Sequence, residues 1–226
     1  MRRQPDELVA MQYGPCALDT SVNGLPVRIT EATEYPFSDE FTFTVDPEQT
    51  TAFALTFRKP GHVEKIEIAD LPDASISRAH DYVSIRKKWA KGDVVRVRFQ
   101  CSVRMAPQPN SETVQGKAGG LYLQRGPLVY ALPFPYQWKV IREIGETGFK
   151  NYAVVTKDTS GWDYAIDPNA VFTLKRDMKT DRLHPWMESP LQLHGPLLTR
   201  AGERVTVSLV PEGCTVLRRV TFPVAQ

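Results

Sequence analysis

The chain has little that could cross-link it, anchor it or charge it strongly. Its three cysteines, Cys16, Cys101 and Cys214, are odd in number and far apart in 226 residues, so they form neither a disulfide framework nor a metal-ligand cluster. No apolar run reaches the length needed to cross a bilayer. Behind the opening Met1-Arg2-Arg3 there is no apolar stretch of the signal-peptide kind. Lys and Arg total 28 against 26 Asp and Glu, a net charge of +2 with no basic block. Neither nucleic acid nor membrane is therefore the partner that composition points to. The compartment stays open, with the cytoplasm favoured. Helix is scarce too, since 18 prolines and 14 glycines leave few windows for three uninterrupted turns. Pro5 to Met11 is the one short helical candidate, and Gln12-Tyr13-Gly14-Pro15 would stop it.

What the chain has in quantity is period-two alternation. Phe41-Thr42-Phe43-Thr44-Val45 puts apolar residues on one face and threonines on the other, and Phe53, Leu55 and Phe57 repeat the pattern. Val95-Arg96-Val97-Arg98-Phe99 is the clearest instance, and Val205, Val207 and Leu209 give another. Such runs, punctuated by Asp46-Pro47, Lys59-Pro60-Gly61, Lys91-Gly92-Asp93 and Ala201-Gly202, predict half-buried antiparallel strands. The expected fold is all-β, an antiparallel β-sandwich with little helix, in two sandwich-like units. Phe43, Phe53, Leu55, Phe57, Val95, Val97 and Phe99 form the first core by their common parity. Residues 1–20 read as a tail or linker strand, 21–135 as a middle β-sandwich, and 136–226 as a C-terminal β-rich region. The proline-rich connection from Pro185 to Pro196 is expected to pack against a sheet.

Residues able to carry chemistry are sparse. The close acidic pairs are Glu31 with Glu34, Asp39 with Glu40, and Asp158 with Asp163. None has the arrangement of two carboxyls facing across a sugar: Asp39 and Glu40 would point to opposite faces of a strand, Glu31 and Glu34 read as ordinary solvated acids, and a structural role is the better reading of each pair. His62, His80, His184 and His194 show no metal-ligand spacing. Neither a nucleophile elbow nor a phosphate loop is present, and Gly119-Gly120 precedes a strand rather than a helix. Cys101 and Cys214 read as small hydrophobes. Trp138, Trp162 and Trp186 lie in loop-like segments, where an indole face can stack on a sugar, so they are the candidate carbohydrate contacts. Trp89, just before the Lys91-Gly92-Asp93 turn, reads as structural.

Several motifs in order carry a resemblance. They are Glu34-Tyr35-Pro36, Phe57-Arg58-Lys59-Pro60-Gly61, Tyr82-Val83-Ser84-Ile85-Arg86-Lys87-Lys88-Trp89, and Gly92-Asp93. Next come Arg125-Gly126-Pro127-Leu128-Val129-Tyr130-Ala131, Gly161-Trp162-Asp163-Tyr164-Ala165, Leu209 through Arg218, and Phe222-Pro223. This order resembles the β-sandwich part of glycoside hydrolase family 127, the β-L-arabinofuranosidase-like enzymes. The departures are His62 where a Trp is usual, Glu212 where a Tyr is usual, and Ala69-Asp70-Leu71-Pro72 in place of an Asn-Gly hairpin. The resemblance implies that catalysis belongs to a helical domain outside these segments. There a cysteine nucleophile, a zinc ion and a glutamate do the chemistry, and Cys16 is not carried over as that nucleophile.

The expected role is therefore a non-catalytic β-sandwich portion, inactive alone, with no catalytic residue, metal or cofactor of its own. Its expected partners are the catalytic helical domain, in cis or in trans, a second copy of the chain, and a glycan. The alternative is a free-standing carbohydrate-binding or interaction module. Met1 reads either as internal to a longer enzyme or as the start of a separately encoded remnant. Leu8, Val9, Met11 and Tyr13 read as an apolar strip without a partner, which predicts self-association.

Overall fold

The computed structural model describes residues 2–4 (backbone only), 6–69, 71–108, 120–177 and 183–225. Met1, Pro5, Asp70 and Gly119, named above, lie outside the described residues. Most of the described chain is strand, no α-helix occurs among the described residues, and the pairing is almost wholly antiparallel. The all-β expectation is met.

The chain divides into Met1–Ser102 and Val103–Gln226. That division falls before the expected 135/136 boundary. The reason is that strands between Val103 and Pro133 join those of the C-terminal third in one sheet.

In the first unit the strands are β1 (Arg2–Gln4), β2 (Glu7–Ala10), β3 (Cys16–Val22), β4 (Leu25–Thr33) and β5 (Glu40–Pro47). They continue as β6 (Thr51–Arg58), β7 (Lys65–Ile68), β8 (Ser75–Ala79), β9 (Tyr82–Trp89) and β10 (Asp93–Gln100). One sheet runs β1-β2-β6-β9-β8 and the other β3-β4-β5-β10-β7. The seven core residues read from parity are all buried. They meet between the two sheets, as where the Phe43 and Phe57 rings stand 4.9 Å apart edge to face. Aromatic pairs of this geometry add to the area they bury.

Three expectations for the N-terminal segment are corrected here. The helical candidate is instead β2, which lies parallel to β6 in the register Glu7↔Ala54 to Ala10↔Phe57. Pairing with a buried strand, with Leu8 and Ala10 in the core, overrides the weak local preference. Residues 1–20 are not a linker, because β2 and β3 are hydrogen-bonded members of the two sheets. Nor are Leu8 and Val9 an uncovered strip, since both are buried, while the Tyr13 ring packs on Phe41 and Phe99.

The second unit holds β11 (Val103–Pro107), β12 (Leu121–Arg125), β13 (Leu128–Pro133), β14 (Gln137–Glu143) and β15 (Lys150–Val155). After these come β16 (Thr173–Arg176), β17 (Leu191–Leu198), β18 (Arg204–Pro211) and β19 (Arg218–Arg219). The large sheet runs β11-β12-β13-β18-β17-β16 with β19 beside β13, and β14 and β15 form a separate hairpin. One face of the large sheet is core: Leu123, Tyr130, Leu191, Leu193, Leu197, Leu209 and Phe222 are buried. Gly126, at φ 57, makes the turn between β12 and β13, so the Gly-Pro pair closes a hairpin. The connection from Pro185 to Pro196 does not merely pack on a sheet. Its second half is β17, an interior strand paired to both β16 and β18.

Candidate functional site

The acidic pairs do not face one another across a site. Glu31 is buried, which corrects its reading as a solvated acid. Its carboxyl accepts the Gly14 N–H at 2.9 Å and the Cys16 thiol at 3.8 Å, tying the segment before β3 to β4. Burial pushes its pKa up from the usual carboxylate value. Asp39 is buried while its neighbour Glu40 is exposed on β5. Asp158 accepts the Ser160 hydroxyl at 2.7 Å and its N–H at 3.0 Å, and these hold its carboxyl below the usual range.

Two of the three thiols sit in surroundings that disfavour the thiolate. Desolvation and the neighbouring Glu31 carboxylate both push the Cys16 thiol up, opposite to the shift a nucleophilic thiolate needs. Burial does the same to Cys214, whose thiol donates to the Pro185 carbonyl at 3.6 Å. Cys101 packs at the edge of the first core. His62, the departure from the usual Trp, meets the Tyr35 hydroxyl at 3.2 Å through Nε2, so a polar contact takes that place. His194 lies 3.2 Å from the Gln192 amide oxygen. Among the described residues no three His, Cys, Asp or Glu side chains come together. These residues offer no zinc donor set.

The three candidate tryptophans stand on separate elements. Trp138, on β14, is 56% exposed. Its indole sits edge-on to Tyr136 at 5.9 Å and to Tyr152 at 6.0 Å. Cross-strand register puts Trp138 opposite Val154 and Val140 opposite Tyr152, so one face of the hairpin is aromatic and aliphatic. Trp162 packs on Phe134 at 5.0 Å. Trp186 lies against Gly213, where a Cβ would come 2.7 Å from the indole, so its ring supports the turn Glu212–Cys214. Trp89, read as structural, is wholly buried in the first unit.

Between these positions the second unit has an open cleft of about 540 Å³. Its floor is the outer face of the sheet, with Pro133 of β13, Val210 of β18 and Gln192 of β17. Phe134 and Tyr136 line it on one strand exit, and Asp177, Glu188 and Thr215 come from three other segments. None of the three tryptophans lines the cleft. Two of them touch rings that do: Trp162 through Phe134 and Trp138 through Tyr136. Sequence reading missed the cleft because its parts lie far apart in the chain. The run Pro133-Phe134-Pro135-Tyr136 was the one local signal.

Residues 7–101 match the family model described as beta-L-arabinofuranosidase, GH127 middle domain. No curated protein sequence matches the chain. Among solved structures, a GH127 β-L-arabinofuranosidase from Geobacillus stearothermophilus T6 is 21% identical with a TM-score of 0.61, covering 94% of this chain and 32% of its own. A protein described as a glycoside hydrolase is 20% identical with a TM-score of 0.63, covering 96% and 36%. The GH127 β-arabinofuranosidase BT3674 is 19% identical with a TM-score of 0.59, covering 97% and 35%. At these identities the likeness is one of fold, and the chain spans about a third of the length of each. Residues 7–101 thus match the middle-domain model of the GH127 β-L-arabinofuranosidase family, the family that the sequence motifs resemble.

Proposed function

We propose that the chain serves as the non-catalytic β-sandwich portion of a GH127-like glycoside hydrolase and supports a catalytic helical domain, in cis or in trans. One observation carries the reading: residues 7–101 match a domain defined as the middle one of an arabinofuranosidase family. In this reading the zinc ion, the nucleophile and the sugar specificity belong to the helical domain. The raised Cys16 thiol agrees with that division.

The finer partners are a second copy of the chain and a glycan. The exposed Ile141 and Phe149 of the β14–β15 hairpin supply apolar surface for a partner. The exposed Trp138, Trp162 and Trp186 supply indole faces for a sugar.

The test is activity with and without the helical domain. The chain alone leaves aryl β-L-arabinofuranosides intact, with or without zinc. Adding it to a GH127 catalytic domain raises that domain's soluble yield and turnover. Turnover by the chain alone that vanished in Cys16→Ala would place the chemistry here and overturn the proposal.

A further inference from the structure

Two guanidinium groups on the outer face of β10 have no partner among the described residues. Alternation along Val95-Arg96-Val97-Arg98-Phe99 buries the three apolar residues and turns Arg96 and Arg98 outward on one face, about 7 Å apart along the strand. Thr42 of β5 stands opposite Arg96, and Glu40 opposite Arg98. On its other side Arg98 is paired in register with Glu67 of β7. That carboxylate is already taken, since it accepts the Gln100 amide at 2.6 Å and the Lys65 ammonium at 3.4 Å. Neither the Arg96 nor the Arg98 side chain makes a hydrogen bond or an ion pair among the described residues.

A third guanidinium reaches the same place from the other sheet of the unit. Arg78 of β8 donates through Nη1 to the Ile66 carbonyl of β7 at 2.9 Å. This contact holds the head group and leaves most of its five N–H donors for another acceptor. Arg78, Arg96, Arg98 and Thr42 line one basin of about 580 Å³, within the ordinary size range of small-ligand sites. Its charged lining is Lys65, Arg78, Arg96 and Arg98 against Glu40 and Glu67, an excess of two positive charges. The entire chain carries the same excess, so the basin is a local concentration of positive charge. Lys65 and Glu67 offset each other as an ion pair, which leaves three guanidiniums against the single carboxylate of Glu40.

A guanidinium recognises oxyanions through its paired N–H donors. One carboxylate has two oxygens and fills a single fork, whereas three guanidiniums call for more acceptor oxygens and more negative charge. A phosphate-type dianion supplies both. A cation is repelled by the excess charge, and a neutral ligand leaves that charge uncompensated. We propose that the basin binds a phosphate-type dianion, free or as a phosphate monoester. Arg96 and Arg98 are its principal partners, Arg78 is the third, and the Thr42 hydroxyl is a further donor. Ile68 and Ala69, which also line the basin, give the organic part of an ester an apolar surface. The proposal goes beyond the support of a catalytic domain and does not rest on it.

The experiment is calorimetric titration of the full chain at low salt with inorganic phosphate, ribose 5-phosphate and, as a monocarboxylate, acetate. Phosphate or its ester is expected to bind saturably and to weaken by about tenfold or more in Arg96→Gln and in Arg98→Gln. Binding should also weaken as sodium chloride is raised, and acetate should give no heat of binding. Both side chains are exposed, so the circular dichroism spectra of the variants should match that of the unaltered chain. Whichever of the two phosphates binds more tightly names the source, the free anion or an ester, and either supports the proposal. Three results would overturn it: no binding of either phosphate at about 10 mM, binding that survives both substitutions together, or acetate bound as tightly. A GH127 catalytic domain that binds the chain in a salt-sensitive way, through Arg96 and Arg98 and with no phosphate binding, would put an acidic protein surface in the basin and overturn it as well.

Discussion

The Trp89 indole donates a hydrogen bond to the Phe53 carbonyl at 3.0 Å, from a fully buried position between β9 and β6. The same two rings pack with centroids 5.7 Å apart. One side chain thus fills the end of the first core and satisfies a main-chain oxygen there. Trp89→Phe removes the donor and part of the volume. A loss of about 2–4 kcal/mol follows from the unpaired carbonyl together with the residual cavity. Urea denaturation of the full chain would show it as a lower midpoint at an unchanged slope.

Glu31 gives the first unit a pH dependence of definite sign. Burial raises its folded-state pKa above the ordinary value of 4.5. Its contribution is complete below that value and is lost as pH rises through the raised pKa, because the charged form must be held away from water. Glu31→Gln removes this ionisation. The stability advantage of the native protein over Glu31→Gln should accordingly be greatest near pH 4 and shrink toward neutrality. Paired thermal melts across that range measure it, and a gap that widened on raising the pH would contradict the assignment.

How far the sequence could be read depended on where each residue's burial comes from. Phe43, Phe53, Val95 and Phe99 alternate with polar neighbours, so their own strand announces their face. Leu8 and Ala10 carry no such signature, because only the pairing of β2 with β6 buries them. β17 was hidden by Pro196, a residue that argues against an interior strand even though its neighbours here are paired on both sides. Glu31 looked solvated because its two partners, Gly14 and Cys16, lie across a strand pair rather than beside it. The cleft needed four distant segments to meet, and no local pattern encodes that.

The turn from β8 to β9 stores a small strain. Ala79 pairs with Tyr82, leaving His80 and Asp81 as the two loop residues, and His80 sits at φ 51. This turn leads into the Tyr82–Trp89 strand. A side chain at positive φ is disfavoured relative to glycine. His80→Gly should raise stability by about 0.5–1 kcal/mol, seen as a higher melting temperature by calorimetry. A lower one would mean that the His80 side chain makes a stabilising contact.

Gly195 is the most tightly enclosed glycine among the described residues of the second unit. A Cβ built on it would overlap Cδ1 of Phe172 and lie 2.7 Å from its Cγ. Gly195 is buried in β17, opposite Val207 of β18, so the strand cannot retreat without breaking register on one side or the other. Phe172 is buried as well. Gly195→Ala therefore overpacks this part of the core and should cost about 1–3 kcal/mol. Shortening the facing ring makes room for the new methyl group. Phe172→Leu alone leaves a cavity, but combined with Gly195→Ala it should cost less than the sum of the two single changes. Denaturation midpoints of the four proteins give the coupling directly. Strict additivity would mean that the ring and the strand do not confine each other.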